Sequence, residues 1–217
     1  MIYKLSCYNN KIWVTYHKDK MSKIESLYSI STSSLMNEFC LRMHRIKNTI
    51  CNECYGIRAE KVRKSLENKL VWNYNIFSSP LYDLELPEFV SDSVVRFDSF
   101  GELFSTIQLG NYVRICELNS NSIFTLFSKR YDLIFKFFES YRKPDNLIIV
   151  LSSLLLNKRA KRKKYIDKVF TCTSNTSINN VLVKKHNSSI ECQKKCKNCM
   201  QCYLLNSKVR NIFEVKR

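Results

Sequence analysis

Short apolar runs alternate with helix-periodic segments through the middle of this chain, and that alternation restricts the fold to few choices. Val94-Val95-Arg96-Phe97, Ile123-Phe124-Thr125-Leu126-Phe127 and Leu147-Ile148-Ile149-Val150-Leu151 read as buried strands. Between them, Leu103, Ile107 and Val113 suggest a helix broken near Gly110. Tyr131, Ile134, Phe135, Phe138 and Tyr141 form one face of another, closed before Pro144. Upstream, Val62, Leu66, Leu70, Tyr74 and Phe77 recur at helical spacing until Ser79-Pro80 stops them. Ile12 to Tyr16 is an early strand. Val169 to Cys172 and Val181-Leu182-Val183 are weaker strand candidates. Continuous apolar strands joined by amphipathic helices make βαβ units and a mostly parallel sheet, with right-handed crossovers. The expected class is therefore α/β. Its expected architecture is a partial or open (β/α) barrel with a Cys-rich C-terminal segment, and ligand loops gathered at the strands' C-terminal ends.

A chain of 217 residues suits one domain. Its expected parts are an N-terminal extension (1–39), a barrel-like core (40–186) and a metal-binding segment (187–217). No apolar signal region opens the chain, and no apolar run approaches the ~20 residues of a membrane span. A cytoplasmic protein without membrane association is expected. In that compartment disulfides are disfavoured, and Cys-x-x-Cys pairs point to metal or redox sites.

Seven of the ten cysteines fall into two clusters. The C-terminal one, Cys192, Cys196, Cys199 and Cys202, places four thiols within eleven residues. Such a segment can wrap a [4Fe–4S] cube or hold Zn tetrahedrally, and the spacing does not separate the two. Nearby Lys194, Lys195 and Lys197 would lower the thiol pKa values and offset thiolate charge. The N-terminal cluster pairs Cys51 and Cys54, with Cys40 as a third ligand or a buried apolar residue. His44, four residues beyond Cys40, competes as a ligand. A three-thiolate cluster leaves one iron open, which marks chemistry rather than scaffolding.

The net charge of +17 favours polyanions, as well as plain solubility. Lys158, Arg159, Lys161, Arg162, Lys163 and Lys164 concentrate it in one run. That run is an exposed helix face, a flexible loop or a phosphate-contacting patch for nucleic acid or a nucleotide.

Gly101 ends the Val94 strand and precedes Glu102. Glycine there permits close backbone approach to a ligand, and the carboxylate can bind an amine or begin a helix.

Taken in order, Ile50-Cys51-Asn52-Glu53-Cys54-Tyr55-Gly56, Val95-Arg96-Phe97-Asp98-Ser99-Phe100-Gly101-Glu102, Thr125-Leu126-Phe127-Ser128-Lys129, Asn146-Leu147-Ile148-Ile149-Val150-Leu151-Ser152 and the Cys-rich end resemble the bacteriophage "gene product 88" domain family. That family is similar in layout to radical S-adenosylmethionine (SAM) enzymes. The resemblance implies that Cys40, Cys51 and Cys54 ligate a [4Fe–4S] cluster. It also implies that Glu102 contacts the SAM amino group with Gly101 allowing close approach, and that Ser128 and Lys129 reach the carboxylate. The C-terminal quartet would then hold an auxiliary cluster. The chain departs from that pattern in placing ten residues between Cys40 and Cys51, where three are usual. Two other readings stand beside it. One is a zinc-stabilised basic nucleic-acid-binding protein; the other is a non-catalytic protein on the same scaffold, working with a phage or host partner.

Overall fold

The computed structural model describes residues 11–19 and 22–216. The first ten residues of the expected N-terminal extension lie outside it. The chain runs β1 (Val14–Tyr16), β2 (Tyr28–Ile30), α1 (Glu38–His44), α2 (Tyr55–Val62), α3 (Lys64–Phe77), β3 (Val94–Phe97), α4 (Thr106–Leu118), β4 (Ile123–Ser128), α5 (Tyr131–Phe138), β5 (Leu147–Ser152), β6 (Lys168–Thr173), α6 (Thr176–Lys185), β7 (Ser189–Glu191), α7 (Cys196–Cys199) and β8 (Asn211–Val215). The eight strands form one sheet in the order β1-β2-β3-β4-β5-β6-β8-β7. Every neighbouring pair is parallel except β1 with β2. The fold is therefore α/β with a mostly parallel sheet. The two edge strands stay apart, so the sheet is open. β1 and β2 come from the first 39 residues, and β7 and β8 from beyond residue 186. Among the described residues no helix is long and apolar enough to cross a membrane.

Alternation along the strands divides the sheet into two unlike faces. Val95, Phe97, Phe124, Leu126, Leu147, Ile149, Leu151 and Val169 point to one side, into a core shared with α3, α4 and α5. Phe97 stacks on Tyr112 of α4 at 4.1 Å and on Phe124 at 5.4 Å, and all three are fully buried. The other face carries Val94, Arg96, Phe127, Phe170 and Cys172. A second cluster built from Ile24, Leu27, Cys196 and Tyr203 packs against Val94. Helices thus cover one face, and the Cys-rich segment lies over the other.

Several sequence expectations are corrected. The single helix expected from Val62 to Phe77 is two, because the chain leaves helical geometry at Arg63 (φ −113°, ψ 90°). Val62 ends α2 and is 83 % exposed, whereas Leu70 and Phe77 are buried. Helix α4 runs unbroken through Gly110. There the missing Cβ admits the Phe137 ring, whose nearest carbon lies 3.3 Å from where that Cβ would be. Val181 to Val183 belong to α6, which starts where the Asn175 side chain accepts from Ile178 N at 2.9 Å. A short apolar run cannot by its pattern distinguish helix from strand. β2 hides inside a Ser-rich stretch whose Ser31, Thr32, Ser33 and Ser34 are all buried.

Three glycines and three prolines leave little turn chemistry, and asparagine supplies much of it. Asn73 Oδ1 accepts from Trp13 N at 2.8 Å, while its Nδ2 donates to Trp13 O and Ser31 O. Asn146 Nδ2 donates to the carbonyls of Cys116, Asn119 and Ser122.

The two-helix arrangement is checked by urea denaturation. Leu70→Ala should cost about 2–5 kcal/mol, and Val62→Ala should stay within about 0.5 kcal/mol.

Candidate metal and ligand site

The segment carrying the N-terminal cysteines is anchored at the ends of three parallel strands. After β2 the chain turns through Ser31 to Ser34 and enters α1, capped by Asn37, whose Oδ1 accepts from Phe39 N and Cys40 N. Asn37 Nδ2 donates to the Glu102 carbonyl at 2.7 Å, which anchors α1 to the segment after β3. The loop from α1 to α2 carries Cys51 and Cys54. It is braced by His44 Nδ1 donating to Cys51 O at 2.9 Å and Asn52 Nδ2 donating to His44 O at 2.9 Å. His44 is thus a strut of the cysteine loop. Buried Glu60 accepts from Ser33 Oγ at 2.6 Å and Ser34 N at 2.7 Å, tying α2 to the same turn.

Electrostatics link the three cysteines to Glu102 and Lys129. Burial pushes the Cys40 thiol well above its usual pKa, and Glu102 pushes it further; Lys129 pulls it down, while Cys54 and Cys51 add to the rise. Cys51 is raised by burial against the pull of Lys129, again with Cys54 and Glu102 adding. Burial alone would lower the Lys129 ammonium, but Glu102 and then the three thiols outweigh it and hold it high. Lys129 is thus within electrostatic reach of all three thiols. Burial holds the Cys40 and Cys51 thiols protonated, so metal binding at either releases a proton.

Gly101 and Glu102 do something other than face open space. Gly101 has φ +83°, and a Cβ there would lie 2.5 Å from Thr32 O. Its close approach is to the chain's own backbone. Glu102 is buried, and both its oxygens are engaged. Oε1 accepts from Ser128 Oγ at 2.5 Å and Leu103 N at 3.0 Å. Oε2 accepts from Lys129 N at 3.0 Å and Lys129 Nζ at 3.3 Å. The four residues assigned to SAM by resemblance thus meet at one place, with Glu102, Ser128 and Lys129 bonded to one another. An incoming amine must take the place of Lys129 Nζ, the longest of the four contacts.

The C-terminal quartet lies over the opposite sheet face from the helices. Cys192 N donates to Phe213 O of β8 at 2.7 Å, and Cys196 N to Lys23 O at 2.8 Å. Burial pushes the Cys202 thiol up to about 12, with Cys196 and Cys192 adding to it. Cys196 Sγ accepts from Tyr203 OH at 3.8 Å. Cys202 and Cys199 both act on Lys168, whose ammonium burial lowers. Lys168 is only 1 % exposed and donates to the carbonyls of Gln201 and Leu204, so it pins the Cys-rich loop to β6.

Arg96 and Tyr55 lie between the two clusters. Arg96 lies within electrostatic reach of Tyr203, Tyr55, Cys196 and Cys202, and Tyr55 within reach of Arg96 and Cys54. The Arg96 guanidinium sits 4.1 Å over the Phe127 ring, which meets Phe170 edge-on at 5.8 Å. Lys23 lies 5.4 Å over Phe170 and pairs with Glu214. Arg96 Nε and Thr125 Oγ1 are buried without a hydrogen-bond partner, on residues paired in register across β3 and β4.

Among the described residues no group of three or more His, Cys, Asp or Glu side chains is gathered as an ion site. Neither cluster is therefore preformed around a single tetrahedral ion. Three thiol donors are the ligand type that an iron–sulfur group requires, but here they are not gathered around one point. Glu102 offers an amine ligand only the position that Lys129 Nζ holds.

The basic run lies elsewhere. Residues 158–164 fall in the β5–β6 connection, which has no helix. Ala160 and Tyr165 pack on the helix-side core. Lys163 sits 4.1 Å over Tyr131, Lys164 4.7 Å over Tyr165, and Arg159 Nε donates to Asn211 Oδ1 at 2.6 Å. Lys158, Lys161 and Arg162 are turned outward. The run is a loop on the sheet face opposite Arg96.

No family model, curated protein or solved structure matches this chain.

Sequence reasoning missed Glu60, Arg96, Asp98 and Lys168, since a lone charged residue in an apolar run carries no signal of burial. Asp98 sits at φ +49° beneath the site and is 4 % exposed. Its Oδ1 accepts from Thr32 Oγ1 at 3.0 Å and Tyr112 OH at 3.1 Å, and its Oδ2 from Gln108 Nε2 at 3.3 Å. Burial, then Glu102, pushes its pKa up to about 8 from an ordinary 3.8, against those hydrogen bonds. The native state then holds one proton more than the unfolded chain between those values. Its stability is fully present below pH 3.8 and is lost as pH rises through 8, at a slope of up to about 1.4 kcal/mol per pH unit. Asp98→Asn should flatten that slope in denaturation curves recorded from pH 4.5 to 8; an unchanged slope would place the titration elsewhere.

Proposed function

We propose that this chain is an iron–sulfur protein of radical-SAM-like layout. In this reading Cys40, Cys51 and Cys54 hold a [4Fe–4S] cluster, and Cys192, Cys196, Cys199 and Cys202 hold a second metal group. The observation that carries the reading is that Lys129, bonded to Glu102 just past β4, lies within electrostatic reach of all three thiols. Open α/β sheets place their ligands outside the carboxyl ends of the strands, and three thiolates leave a coordination position free. When bound, such a cluster supplies one-electron reduction and, with SAM at the open iron, its reductive cleavage.

The chain's own residues have definite parts in this proposal. Lys129 offsets thiolate charge from the protein side. Glu102 orients Lys129 and is the carboxylate to which an amine would bind in exchange. Tyr55, donating to Ser99 O at 2.6 Å with its ring 5.4 Å from that of Phe100, ties the start of α2 to the segment after β3.

Protein prepared anaerobically with iron and sulfide should contain both and be brown. Cys51→Ser should remove about four irons and the matching sulfide, while Lys158→Gln should remove none. Stoichiometric zinc without sulfide in the same preparation would defeat the reading and leave the zinc-stabilised alternative. SAM cleavage is tested separately. Reduced protein should release 5′-deoxyadenosine from SAM, and Glu102→Gln should lower the rate at least tenfold with the iron content unchanged.

A further inference from the structure

Between α1, α3 and the segments following β3 and β4 lies an open groove of about 870 Å³. That volume falls within the range of small-molecule sites, which runs to roughly 1,000 Å³. It borders the thiol site without including any of the cysteines. Its wall from α1 presents Phe39, Arg42 and Arg45; α3 contributes Tyr74; Phe104 and Arg130 follow β3 and β4.

The chemistry of this wall is specific. Tyr74 and Phe104 form a tilted pair with centroids 4.2 Å apart. Phe39 lies between two guanidinium groups, with Arg130 5.1 Å and Arg42 5.9 Å from its centroid. Arg130 is itself held by a fork to Asp132, at 2.9 Å from Nε and 2.6 Å from Nη2. Arg130 is thus a fixed platform rather than a free charge. Arg42 and Arg45 are exposed and have no carboxylate partner among the described residues. Glu38 is the one carboxylate among the lining residues described. Flat rings beside unpaired arginines match a ligand with a π face and an anionic group. Aromatic platforms take bases whatever their identity, and arginine forks take phosphate oxygens in pairs.

We infer that this groove binds a phosphate-bearing nucleobase, with the base on Tyr74 and Phe104 and the phosphate at Arg42 and Arg45. The unit is either a free nucleotide or one residue of a single strand. This site is separate from the basic loop at residues 158–164, and it stands whether or not the cysteines hold iron.

The test is fluorescence anisotropy with two probes, a labelled adenosine nucleotide and a labelled short oligothymidylate, over a salt series. Binding of the nucleotide alone assigns a free ligand, and binding of the oligonucleotide assigns a single strand. In either case the double variant Arg42→Gln/Arg45→Gln should weaken binding at least tenfold. For the oligonucleotide, two lost phosphate contacts should flatten the plot of log affinity against log salt by about 1.4. Tyr74→Leu should weaken binding by about 5- to 100-fold with the salt slope unchanged. Thermal unfolding of each variant at the parent's temperature ensures that the loss is local. Failure of both probes to bind at millimolar concentration would overturn the inference. So would parental affinity in the double arginine variant together with loss on neutralising Lys158, Lys161 and Lys163.

Discussion

The Glu102 carboxylate organises the upper end of this molecule. It is buried, and a buried carboxylate needs both charge pairing and filled acceptor positions to persist. It obtains them from Leu103, Ser128 and the backbone and ammonium of Lys129. Those contacts lock the end of β3 to the end of β4. Its backbone carbonyl then receives Asn37, which starts α1 and so sets the height of Cys40. Truncating any member leaves a buried charge or acceptor unpaired, so cysteine placement is coupled to this clamp more than to local helix propensity.

The rest of the polar interior is arranged around the cation left between the clusters. Arg96 replaces an apolar residue in the middle of β3 and rests its flat face on Phe127. Its neighbours include tyrosines and thiols, groups that tolerate a nearby positive charge and gain acidity from it. Nε of Arg96 and Oγ1 of Thr125 find no hydrogen-bond partner among the described residues, and orphaned groups of this kind are costly. They lie side by side across two strands, so one small acceptor–donor group would satisfy both.

Charge is distributed unevenly over this frame. The basic loop between β5 and β6 runs where a crossover helix usually lies, and it buries Tyr165 against Phe138 to remain there. The arginine-flanked groove lies instead at the strand ends. The net charge of the chain did not separate these two surfaces, because formal charge has no direction until the chain is folded.

Strand identity for β3, β4 and β5 was legible in the sequence, because a mostly apolar run of that length has one good destination, a strand covered on both sides; β6 showed more weakly, since Lys168, Thr171 and Thr173 interrupt its pattern. α5 and the cysteine-rich nature of both ends were legible for the same local reason. β2 was not, since three residues among serines carry no periodicity; nor was the break at Arg63, which leaves the apolar repeat intact. For the site, the sequence located the thiols, Gly101-Glu102 and Ser128-Lys129. What only the tertiary structure decided is that Cys40, Cys51 and Cys54 lie within electrostatic reach of the Lys129 ammonium, and that Glu102 is bonded to Lys129. It also decided that Asp98, Arg96 and Lys168 are buried. The reason is physical. Hydrophobic pattern is a property of neighbours in the chain, whereas pairing of buried charges depends on distances between segments that only the packed sheet brings together.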